Sequence, residues 1–221
     1  MIEEGLPMWD KRTPLQKADV FIWTGEDALR IWDRRRGQEQ EIPFDHGQKV
    51  PYVPRFHLLW EDPKHYQEAL RRALGRGKKR ILLAVPDDAT FIERTALEDF
   101  ICVSLGRRLR RRGGLTICSH SVSLGKPSGQ YIAATRTARC YCVALVKDGA
   151  VVDSQLLDAH RSERGALEWE IRDFRDQAGE PGLKVRYPET EEDWTLMGLG
   201  KSVSFARIAT MDKKKAAAAV S

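Results

Sequence analysis

Few residues in this chain are spaced for chemistry. Asp87 and Asp88 stand together after an apolar run, and Ser119-His120-Ser121 places an imidazole between two hydroxyls. A hydroxyl beside an imidazole is the beginning of an activated nucleophile, and paired carboxylates can do acid–base work. Neither group has a clear set of partners. Asp87 and Asp88 precede a helix, where carboxylates complement the positive end of its dipole. Adjacent residues on a strand point to opposite faces, so Ser119, His120 and Ser121 do not converge. Cys102, Cys118, Cys140 and Cys142 fit no zinc knuckle or ribbon, and His46, His57, His65, His120 and His160 show no metal spacing. Cys140 and Cys142 flank Tyr141 in an alternating run, so both thiols face one side of a strand. They read as small buried hydrophobes in a reducing cytosol.

Charge offers a second kind of site. The chain has 221 residues and a net charge of +5, and all of the excess lies in residues 1–126, because residues 127–221 hold equal numbers of acids and bases. Residues 71–112 carry 12 basic and 5 acidic side chains, a net of +7. The clusters there include Lys78, Lys79 and Arg80, then Arg107, Arg108, Arg110, Arg111 and Arg112. Such clusters can hold a phosphate backbone, an acidic protein or an anionic membrane face. They are equally the solvated ends of helices and loops, the plainer reading. Only Phe91 and Phe100 interleave them, and both read as core-facing, so no base-stacking platform is apparent. With 42% hydrophobic and 31% charged residues, the chain can bury a core. No run approaches the roughly 18 apolar residues of a spanning helix, and no secretory signal opens the chain, so a cytoplasmic location is expected.

These residues need elements to position them. Residues 1–17 read as a flexible leader and 213–221 as a flexible tail. Strands are expected over 19–23, 26–32 and 39–44, with Arg34-Arg35-Arg36-Gly37 as a turn. Residues 45–60, with Pro51 and Pro54, read as loop. Pro63 to Leu74 reads as a helix stopped by Gly75. Arg80 to Pro86 is an apolar strand covered on both faces. A helix follows over 90–105, with Thr90 and Glu93 spaced as a capping box. Leu115 to Cys118 is a short strand, and Gln130 to Val146 an alternating segment broken near Thr135-Arg136-Thr137. Lys147-Asp148-Gly149 turns it into Ala150 to Leu157, and residues 162–177 read as a helix. Beyond that the pattern assigns nothing. The sum is an α/β class: a mixed sheet flanked by helices.

The stretch from Val85-Pro86 through Thr90, Glu93-Arg94 and Ala96 resembles bacterial actins of the MreB kind. Gly129 through Val152 resembles the same family's second phosphate segment, including the hairpin turn at Gly149. Ile22-Trp23-Thr24-Gly25 stands where that family has Ile-Asp-Leu-Gly. Leu115 to Gly125 stands where it has a strand, a Glu-rich catalytic step and the start of a small-residue helix. The resemblance covers residues 18–157 and implies an actin-like, ribonuclease H-like fold: a first lobe over 18–126 and a shortened or truncated second lobe over 127–212, of which only the opening portion is expected.

It also implies two glycine-rich hairpins that cradle nucleotide phosphates, each with a magnesium-organising aspartate. The degenerate phosphate-loop positions are Gly25, Thr135, Arg136 and Thr137. Here Trp23 and Ala134 occupy the aspartate positions, Arg136, Thr137 and Ala138 replace glycines, and Ile117 and Cys118 stand at the paired-glutamate step. The expectation is an actin-like framework without the ATPase, a pseudo-ATPase with no required cofactor, acting as a structural or assembly component of a scaffold or cytoskeleton through a protein partner or self-assembly. Two alternatives stay open. One is a nucleic-acid-binding protein using residues 71–112. The other is a weak nucleotide-binding module with residual ATP binding, in which Arg136 and Arg139 pair directly with an anion.

Overall fold

The computed structural model describes residues 18–44, 50–75, 79–106, 109, 114–126, 128–189, 193 and 195–210. The expected leader and tail, residues 45–49 and most of the basic cluster at 107–112 lie outside that set. Strands β1 (Val20–Thr24), β2 (Ala28–Asp33) and β3 (Gln38–Pro43) form an antiparallel meander. β4 (Ile81–Val85) lies parallel to β1 on its other side, and β5 (Leu115–Ser119) lies parallel to β4. The order is therefore β3-β2-β1-β4-β5. The chain then repeats the plan. β6 (Gln130–Arg136), β7 (Cys140–Lys147) and β8 (Ala150–Asp158) form a second meander. β9 (Val185–Pro188) lies parallel to β6 and β10 (Lys201–Val203) parallel to β9, giving β10-β9-β6-β7-β8. Read from its own first strand, each sheet has the order 3-2-1-4-5 with the same polarities.

The α/β reading thus holds, as two mixed five-stranded sheets flanked by helices. The second unit is short, yet it has five strands, as the first does. Its brevity lies elsewhere. Residues 86–114 join β4 to β5 through a helix, whereas residues 189–200 join β9 to β10 with only turns and bends among those described.

Helices fill the parallel crossovers. α1 (Leu58–Glu61) and α2 (Pro63–Leu74) lead into β4, and α3 (Phe91–Leu105) leads into β5. α4 (His120–Ser123) is a single turn after β5, α5 (Arg164–Ala178) links β8 to β9, and α6 (Phe205–Thr210) ends the described chain. A 3-10 turn over Arg55–His57 precedes α1, so the expected 45–60 loop is helical in its second half. α2 starts on proline at its first position, with the Asp62 carboxylate accepting from the His65 N–H at 3.3 Å. α3 carries the expected capping box: the Glu93 N–H donates to Thr90 Oγ1 at 3.2 Å, and the Thr90 N–H donates to Glu93 Oε2 at 2.8 Å. Thr90→Ala removes one bond of the pair. It is expected to lower stability by about 1 kcal/mol, seen as a lower urea midpoint at unchanged slope.

The strands alternate between separate cores. On β1, Val20 and Ile22 face α2 and α3, while Phe21 and Trp23 face the second sheet. On β6, Ile132 and Ala134 face α5, while Tyr131 and Ala133 face the first sheet. Both faces of these strands are buried, which is why β4 reads as an unbroken apolar run. The layer between the sheets is built from small side chains, among them Ala84, Cys118, Ala133, Cys142 and Ala144, and α4 touches strands of both sheets within it. Tyr131 holds α4 there, its hydroxyl donating to the carbonyls of Ser121 and Val122 at 2.9 Å each. Gly125 is the residue this packing requires, since a Cβ there would fall inside the Tyr131 ring.

Candidate functional site

The ends of β1, β4 and β6 meet beside α4, and the residues after each strand enclose a small cleft between the sheets. The β1–β2 turn contributes Thr24 and Gly25. Gly25 donates its N–H to the carbonyls of Ala28 at 2.9 Å and Trp23 at 3.2 Å. A Cβ at position 25 would stand 2.9 Å from the Ala28 oxygen, so the closed turn itself demands glycine. Trp23 does not project a polar group. Its ring stacks on His120, with centroids 3.8 Å apart and planes 6° from parallel. His120 is 3% exposed, and burial pulls its pKa down to about 3, although the carbonyls of Ala84 and Thr24 favour the charged form. The imidazole is therefore neutral and part of the cleft floor. Ser119, His120 and Ser121 do not lie on one strand as expected, because α4 begins at His120. Ser119 Oγ instead accepts the Val122 N–H at 3.3 Å.

The β6–β7 hairpin supplies the opposite wall. Thr135 Oγ1 donates to Asp87 at 2.7 Å, and Asp87 also accepts the Ser121 N–H at 3.2 Å. Burial pushes the Asp87 carboxyl above its ordinary pKa against the pull of those bonds. Thr137 spends its N–H on the Cys140 carbonyl at 2.9 Å and its hydroxyl on Asp88 at 3.1 Å. The N–H groups of Arg139 and Cys140 in turn donate to Thr137 Oγ1. Arg139 binds Asp88 through Nε at 2.6 Å and Glu93 through Nη1 and Nη2 at 3.1 and 3.0 Å. His57 Nε2 lies 2.8 Å from the same Glu93 carboxylate. Burial alone would raise the Glu93 carboxyl, but the bonds from Arg139, the Thr90 N–H and His57 outweigh it and hold the pKa at about 2. Arg136 reaches Asp193 at 3.5 Å and lies 5.7 Å from the Tyr141 ring centroid.

Asp87 and Asp88 therefore do not act as complements to the α3 dipole. Their carboxylates bind the β6–β7 hairpin and α4, and the α3 terminus is served by Thr90. Gly25, Arg136 and Thr137 do line one cleft, with Thr24, Asp88 and His120, while Thr135 sits behind it on Asp87. Asp193, His57 and Glu93 belong to the same group and were not singled out by spacing as site residues. Of the basic patch, Arg107, Arg108, Arg110, Arg111, Arg112 and Lys78 lie outside the described residues. Lys79 is tucked against the Leu74 carbonyl and 3.9 Å from Asp33, and Arg80 pairs with Asp19 at 3.5 Å, so neither is a free cation. Phe91 is 79% exposed and Phe100 is buried, which corrects the expectation that both face the core. All four cysteines are buried, and none is in a disulfide.

The cleft opens to solvent, and its enclosed part has room for about one water. The N–H groups of Gly25, Thr137 and Arg139, which a phosphate would need, donate within their own turns. Among the described residues, no three His, Cys, Asp or Glu side chains cluster to hold a metal. Buried polar atoms without a protein partner do gather here, namely Thr24 Oγ1, Asp88 Oδ1, Arg55 Nε and Arg136 Nε, and they suit a water-sized occupant.

No family model matches the sequence, and no curated protein does. Solved structures do show similarity, at low identity. MreB5 of Spiroplasma citri bound to AMPPNP is 14% identical, with a TM-score of 0.44 over 72% of this chain and 57% of that one. This chain therefore spans little more than half of the MreB5 chain. An AlfA filament bound to AMPPNP is 6% identical, with a TM-score of 0.46 over 85% of this chain and 89% of that one. A Bacteroides thetaiotaomicron protein described as having an actin-like ATPase fold and unknown function is 8% identical, with a TM-score of 0.39 over 90% and 95% of the two chains. No helix among the described residues is long and apolar enough to cross a membrane.

Proposed function

We propose that this chain is a non-catalytic, degenerate actin-like protein of the MreB kind, a structural or assembly component that works through protein–protein contacts. The observation that carries the reading is what fills the cleft. Two features that carry the resemblance are present, the capped α3 and the β7–β8 hairpin, on a sheet order repeated in the two units. The β6–β7 hairpin, which the resemblance would place at the phosphates, is instead held by the chain's own ion pairs. Arg139 joins Asp88 and Glu93, and Arg136 joins Asp193, where an actin-like ATPase would leave backbone donors free for a nucleotide. Losing a metal-organising carboxylate and a water-positioning acid together removes several kcal/mol of transition-state stabilisation.

On this reading the preserved part is the scaffold that a neighbouring chain would recognise. The weak nucleotide-binding alternative needs Arg136 and Arg139 to release their carboxylates first. The experiment is phosphate release by the purified protein with magnesium and ATP, beside a pelleting assay. Release at the buffer rate together with assembly supports the proposal, and robust magnesium-dependent hydrolysis overturns it.

A further inference from the structure

The strongest unassigned feature is the outer edge of the second sheet. β8 ends the order β10-β9-β6-β7-β8, and no described strand pairs with its far side. Its first seven residues are exposed on both faces. Edge strands ordinarily carry guards such as lysine or proline. β8 reads Ala150-Val-Val-Asp-Ser-Gln-Leu-Leu-Asp158, with no lysine, arginine, proline or glycine; its guards are two aspartates and one register irregularity near Val152. Val151, Val152 and Leu156 are 39%, 60% and 54% exposed.

The order of those residues identifies the partner. Around Ser154 the strand is self-complementary. An antiparallel copy centred there sets Ser154 against Ser154, Asp153 against Gln155, Val152 against Leu156 and Val151 against Leu157. Apolar side chains meet apolar ones, each carboxylate meets an amide, and the two Asp153 carboxylates are not opposite each other. The backbone agrees. The Ser154 N–H donates to Asp153 Oδ1 at 2.8 Å, so it points away from β7 toward the open edge. A two-fold axis through a pair of such residues exchanges both N–H groups for carbonyls across the interface. The register irregularity opposite Leu145/Val146 bends the strand near Val152, which sets residues 152–156 as the core of the pairing.

We infer that two copies of this chain join through β8, antiparallel about Ser154, into one continuous ten-stranded sheet. The inference rests on the assembly reading above and names its partner as a second copy.

Sedimentation of the full chain at micromolar concentration is expected to give a dimer. Ser154→Pro removes the outward donor without touching the β7 ladder and is expected to halve the mass with the circular dichroism spectrum unchanged. Ser154→Cys is expected to form a disulfide-linked dimer under mild oxidation, since residues facing across such a pair lie within disulfide reach. The parent chain, with its four cysteines buried, stays uncrosslinked. If Ser154→Pro fails to fold, the cysteine variant carries the test. A monomeric parent chain, a folded Ser154→Pro dimer, or no crosslink through Cys at 154 overturns the inference. None of these outcomes bears on phosphate release, so failure here is separable from failure of the proposed function.

Discussion

Replacing Arg139 with alanine is expected to destabilise the chain by about 3 kcal/mol, the low end for breaking a buried ion pair. The Asp88 and Glu93 side chains are 6% and 11% exposed, and Arg139 neutralises both. Its removal leaves two carboxylates beside one another, with only His57 and the Thr90 N–H on Glu93 and the Thr137 hydroxyl on Asp88, and desolvation then works against both. Arg139 is itself 27% exposed, which is why the low end applies. Arg139→Lys keeps a charge but loses the fork that spans two carboxylates, so an intermediate loss is expected. Guanidinium unfolding at neutral pH measures both.

The acid dependence has a definite sign. Glu93 has a folded pKa of about 2 against an ordinary 4.5, so its contribution is complete above 4.5 and is lost as pH falls toward 2. Arg139→Ala should flatten that part of the profile.

Replacing His120 with phenylalanine is expected to remove a separate limb of the pH profile. The folded pKa of His120 is about 3 against an ordinary 6.5. Below 6.5 the unfolded chain takes a proton that the folded chain refuses until about 3. Stability is therefore full above 6.5 and falls through that window, by about 1.4 kcal/mol for each pH unit. Between pH 6.5 and 4.5 this slope is separate from that of Glu93. Phenylalanine keeps the stack on Trp23 and removes two buried nitrogens together with their attraction to the Ala84 and Thr24 carbonyls, so its stability at pH 7 should stay near the parent's. A His120→Phe chain that keeps the parent's slope between pH 6.5 and 4.5 would contradict the buried, neutral imidazole. Denaturant midpoints taken across that range decide it.

Much of the framework was legible because its signals are local. β4 is an apolar run bounded by charge and proline, and α3 follows on a capping box three residues long. α2 shows proline at its start and glycine at its end. The β7–β8 hairpin announces itself through Asp148-Gly149, both at positive φ. The missed elements lack local signals. β9 has four residues ending on proline, and β10 has three. They exist because β6 offers an edge, and that edge is set some fifty residues earlier. Residues 55–61 sit behind Pro51 and Pro54 and read as loop, yet Phe56 and Leu59 bury into the α2–α3 core.

The cleft was half legible. The replaced glycines and aspartates stand in the sequence, but the ion pairs that their replacements and neighbours form do not. Asp88 and Arg139 are 51 residues apart, and Arg136 and Asp193 are 57 apart. Asp193 follows an acidic run that looks like solvated surface. Phe91 was misread for a geometric reason: with Thr90 as N-cap, it falls on the first turn's outer side, at 79% exposure.

On the proposed reading, the chain's own side chains close the cleft and it turns over no nucleotide. The most direct measurement is phosphate release by the purified full chain with ATP and magnesium, set beside the same chain carrying Arg136→Ala. The expected result is a rate equal to the buffer blank for both proteins. Magnesium-dependent release well above the blank in the parent chain, lowered by Arg136→Ala, would contradict it.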